Sequence, residues 1–395
     1  MTVVLSNLKV LAIAACIMLS SVVFSQSTAD NTLASSVSFT DAEIALLKVF
    51  GPWPVAVPAD AGNELSGARW AEQLGEQLFS DVDMSGSGDL ACISCHQPSN
   101  GFAENLPVAV GATAHVRNTQ GLLNVGLQRW FGWDGGADSL WAASLRPALS
   151  EIEMAASIEG IAEKFRSKEY VVDAFDKYEG AAKTGELDDE QLVVLLAKSI
   201  AAYLRTLTSP PTVFDQFRTA LVSGDSTDAL KNYPQSAARG LKIFFGDANC
   251  HVCHFGPNFS NGEFHDTGRP FFTGVGQVDP GRYDGVKRVR EDRYNLLGNF
   301  NGNINDADQR KTRTVKIGQT NFGQWRTPGL RNLTTTAPYM HDGSLATLRD
   351  VVDAYADIDP QRLHAQGESI LQPLNLDNAA RDDFVRFLET LSEYP

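Results

Sequence analysis

Two five-residue strings, at residues 92–96 and 250–254, have the pattern Cys-x-x-Cys-His. This is the pattern of covalent c-type haem attachment: two thiols bind the vinyl groups of one porphyrin, and the adjacent His binds the iron as its proximal ligand. A redox dithiol or half of a zinc site also uses Cys-x-x-Cys. In both strings a His directly follows the second Cys, which favours haem attachment over a redox dithiol or a zinc site. The sequence therefore predicts two haem c groups, held by Cys92, Cys95, His96, Cys250, Cys253 and His254.

The N-terminal segment predicts export from the cytoplasm. An apolar run over residues 10–23 contains Cys16, the only one of the 5 cysteines outside the two strings. The run is too short to span a bilayer and is typical of a secretory signal peptide, here over residues 1–25. Lipidation of Cys16 is a minor alternative. Because bacteria attach c-type haem outside the cytoplasm, the expected location is the periplasm.

The size and charge of the chain limit its fold and its partners. A chain of 395 residues is long enough for two domains with ordinary cores. The net charge of −15 argues against nucleic acid or anionic membrane surfaces as partners, and it is compatible with docking to a basic or dipolar redox protein. No segment after residue 25 is apolar enough to predict a membrane span in the mature form.

The two halves of the chain repeat one helical pattern. A helix-like stretch precedes each Cys-x-x-Cys-His string, at residues 74–79 and 240–245, and each half ends in a similar apolar helix. Strand-like alternation is scarce. We therefore predict a mainly α fold with two cytochrome c-like helical haem domains and long loops, over residues 26–222 and 233–395, with the linker between them.

One long segment has weak periodicity. Residues 256–324 are rich in Gly, Asn and Asp, which predicts long loops over the second haem or a docking surface. The charge cluster at residues 287–293 is more typical of a solvated face than of a binding site.

The remaining histidines are candidates for the far side of an iron. The chain has 7 histidines, and 2 of them, His96 and His254, are the predicted proximal ligands. Spacing alone does not choose among the others, which are His115, His251, His265, His341 and His364.

An ordered series of motifs resembles the bacterial di-haem cytochrome c peroxidases and, within that superfamily, leans toward the MauG-like enzymes. The similarity covers nearly all of residues 74–391. The motifs that carry it are Arg117-Asn118-Thr119, Trp133-Asp134-Gly135, Pro147 with Glu153-Met154, Arg326-Thr327-Pro328-Gly329-Leu330-Arg331-Asn332, and Ala337-Pro338-Tyr339-Met340-His341-Asp342-Gly343.

The resemblance implies that the N-terminal haem reacts with peroxide and that Glu153 lies over its iron. Splitting H2O2 needs a group that takes a proton from one oxygen and returns it to the leaving one, which suits a carboxylate. Pro147 is the retained neighbour, whereas Ala143 stands where the family usually has Gln. Without the resemblance, Glu153 reads as a solvated acid beside Glu151.

The resemblance also predicts that the first haem is open at rest. In many of these peroxidases a His eight residues before the Asn of the Asn118 motif blocks the peroxide iron until the enzyme is reduced. Val110 occupies that position here, so no reductive activation is expected. His115 is close enough in sequence to act as a substitute ligand, and this alternative stays open.

At the second haem, the resemblance implies that Tyr355 is the axial ligand opposite His254. Members that accept electrons at this haem have Met there, and MauG-like members have Tyr. A thioether raises the potential of the iron, whereas a phenolate stabilises its higher oxidation states. The alternatives are that Tyr355 is a core residue or that Met340 is the ligand.

Two further roles come from the resemblance. Trp133 matches the Trp that lies between the haems and moves electrons, although an aromatic residue there also suits core packing. Asn118, Thr336 and Pro338 match an inter-haem Ca²⁺ site, in which an amide oxygen and two backbone carbonyls suit a hard cation. His341 matches a residue near that interface that is structural rather than catalytic.

Three functions fit these features. The first is a peroxidase that reduces H2O2 with electrons from a small c-type cytochrome or a cupredoxin. The second is a MauG-like oxidase that modifies Trp or another residue of a partner protein through high-valent haem iron. Ala248 stands where the protein-oxidising MauG has a surface Trp, and Trp325 is a possible substitute. The third is an electron carrier without catalysis, which Glu153 beside an open haem argues against.

Overall fold

The computed structural model describes residues 37–178, 183–225, 229, 231–269, 272–302, 304–359 and 370–393. The predicted signal peptide, Cys16 and His364 lie outside these described residues. Within them, no helix has the length and apolar character needed to cross a membrane.

Short α-helices joined by long connections make up most of the described chain. The α-helices are Asp41–Leu47 (α1), Arg69–Phe79 (α2), Cys92–Cys95 (α3), Leu140–Leu149 (α4), Ile158–Phe165 (α5), Glu169–Asp176 (α6), Asp189–Leu204 (α7), Val213–Val222 (α8), Gln235–Phe245 (α9), Arg282–Glu291 (α10), Asp306–Thr314 (α11), Leu348–Ala356 (α12) and Asn378–Glu389 (α13). The strands are Phe264–Asp266 (β1), Phe272–Gly274 (β2), Gln277–Val278 (β3) and Gln324–Arg326 (β4). Short 3₁₀ turns lie between them, among them Cys250–Val252 in the second haem-attachment string. The predicted mainly α fold is confirmed.

A crossed pair of helices, α2 and α7, forms the centre of the first half. Helix α7 begins at an Asp188 cap, whose carboxylate accepts the backbone N–H of Gln191 at 2.7 Å. Gly75 of α2 lies directly on the backbone of α7, because a Cβ there would overlap the Ser199 carbonyl oxygen. Only glycine permits the two helices to approach this closely.

The same packing recurs in the second half, between α9 and α13. Helix α13 also begins at an Asp cap, Asp377, which accepts the N–H of Ala380 at 2.8 Å. Gly240 of α9 lies on the Asp383 carbonyl of α13, again with no room for a Cβ. The internal repeat that the sequence predicts is therefore present as a repeated helix pair. In each half, the first helix of the pair precedes the haem-attachment string and the second helix follows it.

Two main hydrophobic cores surround these helix pairs. The first is built from residues between Leu74 and Leu204, and the second from the C-terminal half. Helices α1 and α8 contribute Leu47, Phe214 and Phe217 to the second core, not the first. The domain boundary predicted at residue 222 cuts across this packing.

The segment over residues 256–324 contains more structure than predicted. Helices α10 and α11 lie within it, and β1 pairs antiparallel with β4 while β2 pairs with β3. The prediction of long loops is wrong for these stretches. Helix α10 buries Val286 and Val289 but is otherwise mostly polar, so its apolar periodicity is too weak to predict a helix.

Candidate haem and peroxide site

A cavity of about 810 Å³ lies against the first haem-attachment string. Its volume is within the range of small-molecule and cofactor sites. The lining is more apolar than polar, but many polar and charged side chains belong to it, among them Arg117, Arg146 and Gln120. Among the predicted site residues that line it are Cys92, Cys95, His96, Asn118, Trp133, Pro147 and Glu153. The fold therefore brings together residues that are up to 61 positions apart in sequence (92 to 153).

The two proximal histidines have the tautomer that an iron ligand needs. His96 Nδ1 lies 2.8 Å from the Phe102 carbonyl oxygen, and His254 Nδ1 lies 3.0 Å from that of Phe259. A carbonyl only accepts, so each Nδ1 carries the proton and donates it, which leaves the Nε2 lone pair free for iron. Burial lowers the pKa of His254 to about 4 and also lowers that of His96, so both rings are neutral at pH 7. Both residues fit haem ligation.

The thiols of the two strings differ from those of a redox dithiol. Burial raises the pKa of Cys92 to about 12, of Cys95 to about 11 and of Cys250 to about 12. Catalytic Cys-x-x-Cys thiols have lowered pKa values, because the thiolate is the reactive form. The four described cysteines are not in disulfides. These features agree with thiols that serve as attachment points.

The backbone around Glu153 is held on both sides. The Glu153 N–H donates to the Ser150 carbonyl at 3.0 Å, just beyond the end of α4, which contains Pro147. From the other side, the N–H of Ala112 donates to the Glu153 carbonyl at 2.7 Å. Gly111 is packed so closely that a Cβ would overlap the Glu153 backbone. The segment that carries the carboxylate is therefore fixed relative to the cavity.

Residues 109–117 form a tight hairpin-like loop at the cavity. The Ala109 N–H donates to the Arg117 carbonyl at 2.9 Å, and the His115 N–H donates to the Ala109 carbonyl at 2.8 Å. Val110 is 51% exposed and is not among the residues that line the cavity. His115 does line it.

Trp133 and Asn118, one of the three residues of the predicted Ca²⁺ site, line the cavity. The Trp133 indole N–H donates to the Asn118 carbonyl at 2.8 Å. The Asn118 side-chain amide donates to the Leu106 carbonyl at 3.0 Å, which leaves its oxygen as an acceptor. Thr336 packs against Gly101 and Gly121. No cluster of three acidic, His or Cys side chains suited to a metal occurs in the described ranges.

A buried ion network that the sequence did not reveal joins the two halves beside the cavity. Arg117 bonds to the Asp134 carboxylate at 2.6 Å and to both oxygens of Asp279 at 2.7 Å. Arg288 also bonds to Asp134, at 2.8 Å. Burial alone would raise the pKa of Asp134, but Arg117, Arg288 and Arg146 outweigh it and hold that pKa well below its usual range. Arg288 belongs to the cluster predicted as a solvated face; its side chain is exposed, and it also lines the cavity.

The second haem-attachment string faces helix α12. Burial, with a smaller effect of Cys250 and Cys253, raises the pKa of the Tyr355 phenol above its ordinary value. The effect of both thiols shows that the phenol lies near the second string. Met340 lies in a turn with a positive φ of 74°.

The other candidate histidines have neighbours of their own. His251 Nδ1 lies 3.3 Å from the Phe244 carbonyl, and His265 Nε2 lies 3.1 Å from the Asn261 amide. His341 stacks on Trp325 with ring centroids 3.7 Å apart. Trp325 is 3% exposed, so it is a buried residue rather than a surface one.

Comparisons with known proteins agree with these features. The family model for di-haem cytochrome c peroxidases matches residues 70–222. Cytochrome-c peroxidase IdrP1 of Pseudomonas sp. (strain SCT) is 33% identical over 356 residues, which are 86% of this chain and 84% of that protein. Methylamine utilization protein MauG of Methylorubrum extorquens is 28% identical over 375 residues, which are 94% of this chain and 92% of MauG.

A solved structure has the same fold. The diheme peroxidase BthA from Burkholderia thailandensis aligns with a TM-score of 0.64 at 22% identity, over 82% of this chain and 86% of BthA. The sequence relatives establish the family. This chain belongs to the di-haem cytochrome c peroxidase family, which includes MauG, and it is a haem oxidoreductase with haem c as its cofactor.

Proposed function

We propose that the protein is a peroxidase that reduces H2O2 to water at its N-terminal haem. The reaction takes up two electrons and two protons for each H2O2 and releases two water molecules. The observation that carries the proposal is that Glu153 lines the same cavity as Cys92 and His96. A carboxylate in that cavity supplies the acid–base group that peroxide cleavage needs, and a simple electron carrier has no use for one.

Glu153 moves the proton in this proposal. Its carboxylate takes a proton from the peroxide oxygen nearer the iron and delivers it to the oxygen that leaves as water. Haem iron supplies the electron transfer to the O–O bond when the cofactor is bound. Pro147 closes the cavity beside Glu153, and the hydrogen bond from Ala112 holds the Glu153 backbone in place.

The first haem is open at rest in this proposal. The support is that Val110, at the position of the family's blocking His, is half-exposed and outside the cavity lining. The enzyme then reacts with peroxide in its fully oxidised form. Spin resonance of the oxidised protein tests this, and a six-coordinate bis-His signal from the first haem would rule it out.

Electrons reach the first haem through the second in this proposal. The donor is a small c-type cytochrome or a cupredoxin in the periplasm, and the two haem-binding units correspond to the two hydrophobic cores. Trp133 would relay electrons between the two haems, and Tyr355 would hold the second haem together with His254. Iron binding lowers the pKa of a ligating group and so offsets the raised pKa of the phenol.

A Ca²⁺ ion completes the proposed region between the haems. The side-chain oxygen of Asn118 and the carbonyls of Thr336 and Pro338 are hard oxygen ligands of the type that Ca²⁺ prefers. The amide orientation of Asn118, which donates through its nitrogen to Leu106, supports this ligand set. Calorimetric titration of chelator-treated protein with Ca²⁺ tests it, since a site of this kind gives one binding event per chain.

A Glu153→Gln variant tests the peroxidase. Gln keeps the size of Glu but cannot accept and return a proton, so the diferric variant should react with H2O2 on the order of 100-fold or more slowly than the wild type. Stopped-flow absorption measures this, and reduced cytochrome c is then offered as donor. Glu151→Gln, on the exposed side of the same run, is the matched control and should react normally. Equal rates for wild type and Glu153→Gln contradict the proposal.

A second function, a MauG-like oxidase of a partner protein, is supported by Tyr355 and by the similarity to MauG over 94% of the chain. Reaction of the wild-type diferric protein with H2O2, followed by addition of reduced cytochrome c, separates the two functions. Rapid oxidation of the added cytochrome c supports the peroxidase, whereas a long-lived oxidised spectrum with poor donor turnover supports the oxidase. Because Trp325 is buried against His341, it is not a surface route to a partner, which favours the peroxidase.

A further inference from the structure

His115 has the opposite tautomer from the two proximal histidines. Its Nδ1 lies 2.9 Å from the backbone nitrogen of Arg117, whose N–H can only donate. Nδ1 is therefore the acceptor, and the proton of the neutral ring is on Nε2. This differs from His96 and His254, whose Nδ1 atoms donate to carbonyls and whose Nε2 atoms are free to bind iron.

This tautomer makes His115 a donor into the cavity rather than an iron ligand. Its ring lines the cavity, and within the described part of the chain no group is hydrogen-bonded to its Nε2. Burial lowers the pKa of His115 while Glu153 raises it, with a net lowering, so the ring is neutral at pH 7. A neutral ring with its proton on Nε2 offers one N–H and no lone pair to the cavity.

The loop that carries His115 is attached to the backbone that carries Glu153. Besides the bond from Ala112 to the Glu153 carbonyl, the N–H of Thr113 donates to the Ile152 carbonyl at 3.1 Å. The His115 N–H in turn closes the loop onto Ala109. The backbones that carry His115 and Glu153 therefore belong to one hydrogen-bonded unit.

One stretch of the cavity wall, at Ala143 and Ser144, offers no free donor to a substrate, although Arg146 and Gln120 also line the cavity. Ala143 lines the cavity with a methyl group only, and the nearby Ser144 hydroxyl already donates to the Leu140 carbonyl at 2.8 Å. A peroxide molecule needs a donor to the oxygen on which negative charge develops as the O–O bond breaks.

We propose that His115 is a substrate-binding residue, whose Nε2–H donates to the departing oxygen of H2O2 while Glu153 transfers the proton. The proposal rests on the peroxidase function given above and deepens it. His115 itself neither gains nor loses a proton: Glu153 moves the proton from one oxygen to the other, and the ring stabilises the charge that develops between these two events.

Two conservative variants separate this role from a structural one. In His115→Asn the side-chain oxygen still accepts the Arg117 N–H, as Asn does in an Asx turn, but no donor reaches the cavity. In His115→Gln an amide N–H extends to about the position of Nε2. We expect His115→Asn to lower the second-order rate constant for H2O2 by about 100-fold, the usual effect of losing one such donor. His115→Gln should recover most of the loss.

Fluoride provides a readout that does not depend on turnover. Fluoride bound to oxidised haem accepts hydrogen bonds as the departing oxygen does, so optical titration with sodium fluoride should show weaker binding to His115→Asn, by about tenfold, and near-normal binding to His115→Gln. Loss of fluoride affinity in His115→Asn supports the proposal even if the wild type does not turn over H2O2, which would instead contradict the peroxidase function.

Three results would overturn the assignment. If His115→Asn matches the wild type in both H2O2 rate and fluoride affinity, the ring does not contact the substrate. If His115→Gln is as impaired as His115→Asn, the N–H is not the important group. If either variant converts the first haem from a low-spin to a high-spin state, His115 is an iron ligand after all.

Discussion

At the scale of single residues, the hydrogen-bond partner of each Nδ1 separates the histidines by function. His96 and His254 donate to carbonyls and so present Nε2 lone pairs, while His115 accepts a backbone N–H and so presents a donor. Apart from His96 and His254, which the haem-attachment strings single out, the sequence gives five histidines of equal standing. Only the partner atom decides whether a ring binds metal or substrate.

In the proposed function, Tyr355 is a ligand of the second haem iron and so affects its potential. A Tyr355→Met variant replaces an oxygen ligand with a thioether, which should raise that potential by on the order of 0.1 V, a fraction of the roughly 0.8 V that axial ligands span. Spectroelectrochemical titration of the second haem measures the change. Tyr339→Phe, at a phenol that donates to the Leu333 carbonyl, is the control and should leave the potential unchanged. An unshifted potential in Tyr355→Met means that the phenol does not bind the iron.

At the scale of elements, two glycines set the spacing of the repeated helix pairs. Gly75→Ala and Gly240→Ala each place a Cβ against a carbonyl of the facing helix. We expect each to lower the free energy of unfolding by about 3 kcal/mol, as overpacked cores do. Thermal unfolding followed by circular dichroism and by haem absorption measures this. Gly185→Ala has open space around its Cβ and should be nearly neutral. Equal stability of all three variants would show that the helices separate without cost.

The apolar periodicity of the sequence predicts some of the helices but not all of them. Helices α2, α7, α9 and α13 have apolar faces or apolar surroundings, and their existence follows from the sequence. The existence of helix α10 does not follow from the sequence, because ion pairs and two buried Val residues hold this helix in place and it has no continuous apolar face.

At the scale of the whole molecule, the Arg117 network ties the two halves together. Arg117 and Asp134 belong to the first half of the chain, while Asp279 and Arg288 belong to the second. Because Asp134 is fully buried, its removal leaves two guanidinium groups without that carboxylate. Asp134→Asn should therefore lower the free energy of unfolding at pH 7 by on the order of 3 kcal/mol.

The stability that Asp134→Asn removes should itself decrease as the pH falls. The folded pKa of Asp134 lies below its unfolded value of about 3.9, so its stabilisation is complete above that value and fades as the pH falls toward the folded pKa. The difference between wild type and Asp134→Asn should shrink below about pH 4, as urea unfolding from pH 7 to pH 3 measures. Asp173→Asn, in an exposed pair with Lys177, should show almost no difference at any pH. A constant difference down to pH 3 contradicts the ion-pair explanation.

The sequence by itself determined the haem c cofactor, the helical class and the family, because the attachment strings and helix periodicity are local in the chain. Its motifs also predicted roles for Glu153, Pro147 and Trp133, and all three line the cavity. The tertiary structure alone decided that Arg288 and Asp279 reach the first cavity from a segment predicted as loops, that α8 belongs to the second core, and that His115 faces the cavity with a donor. The first two features depend on contacts between residues far apart in the chain, which local patterns do not record. The third depends on the backbone turn that brings the Arg117 N–H to His115 Nδ1, a geometry that the residue types alone do not give.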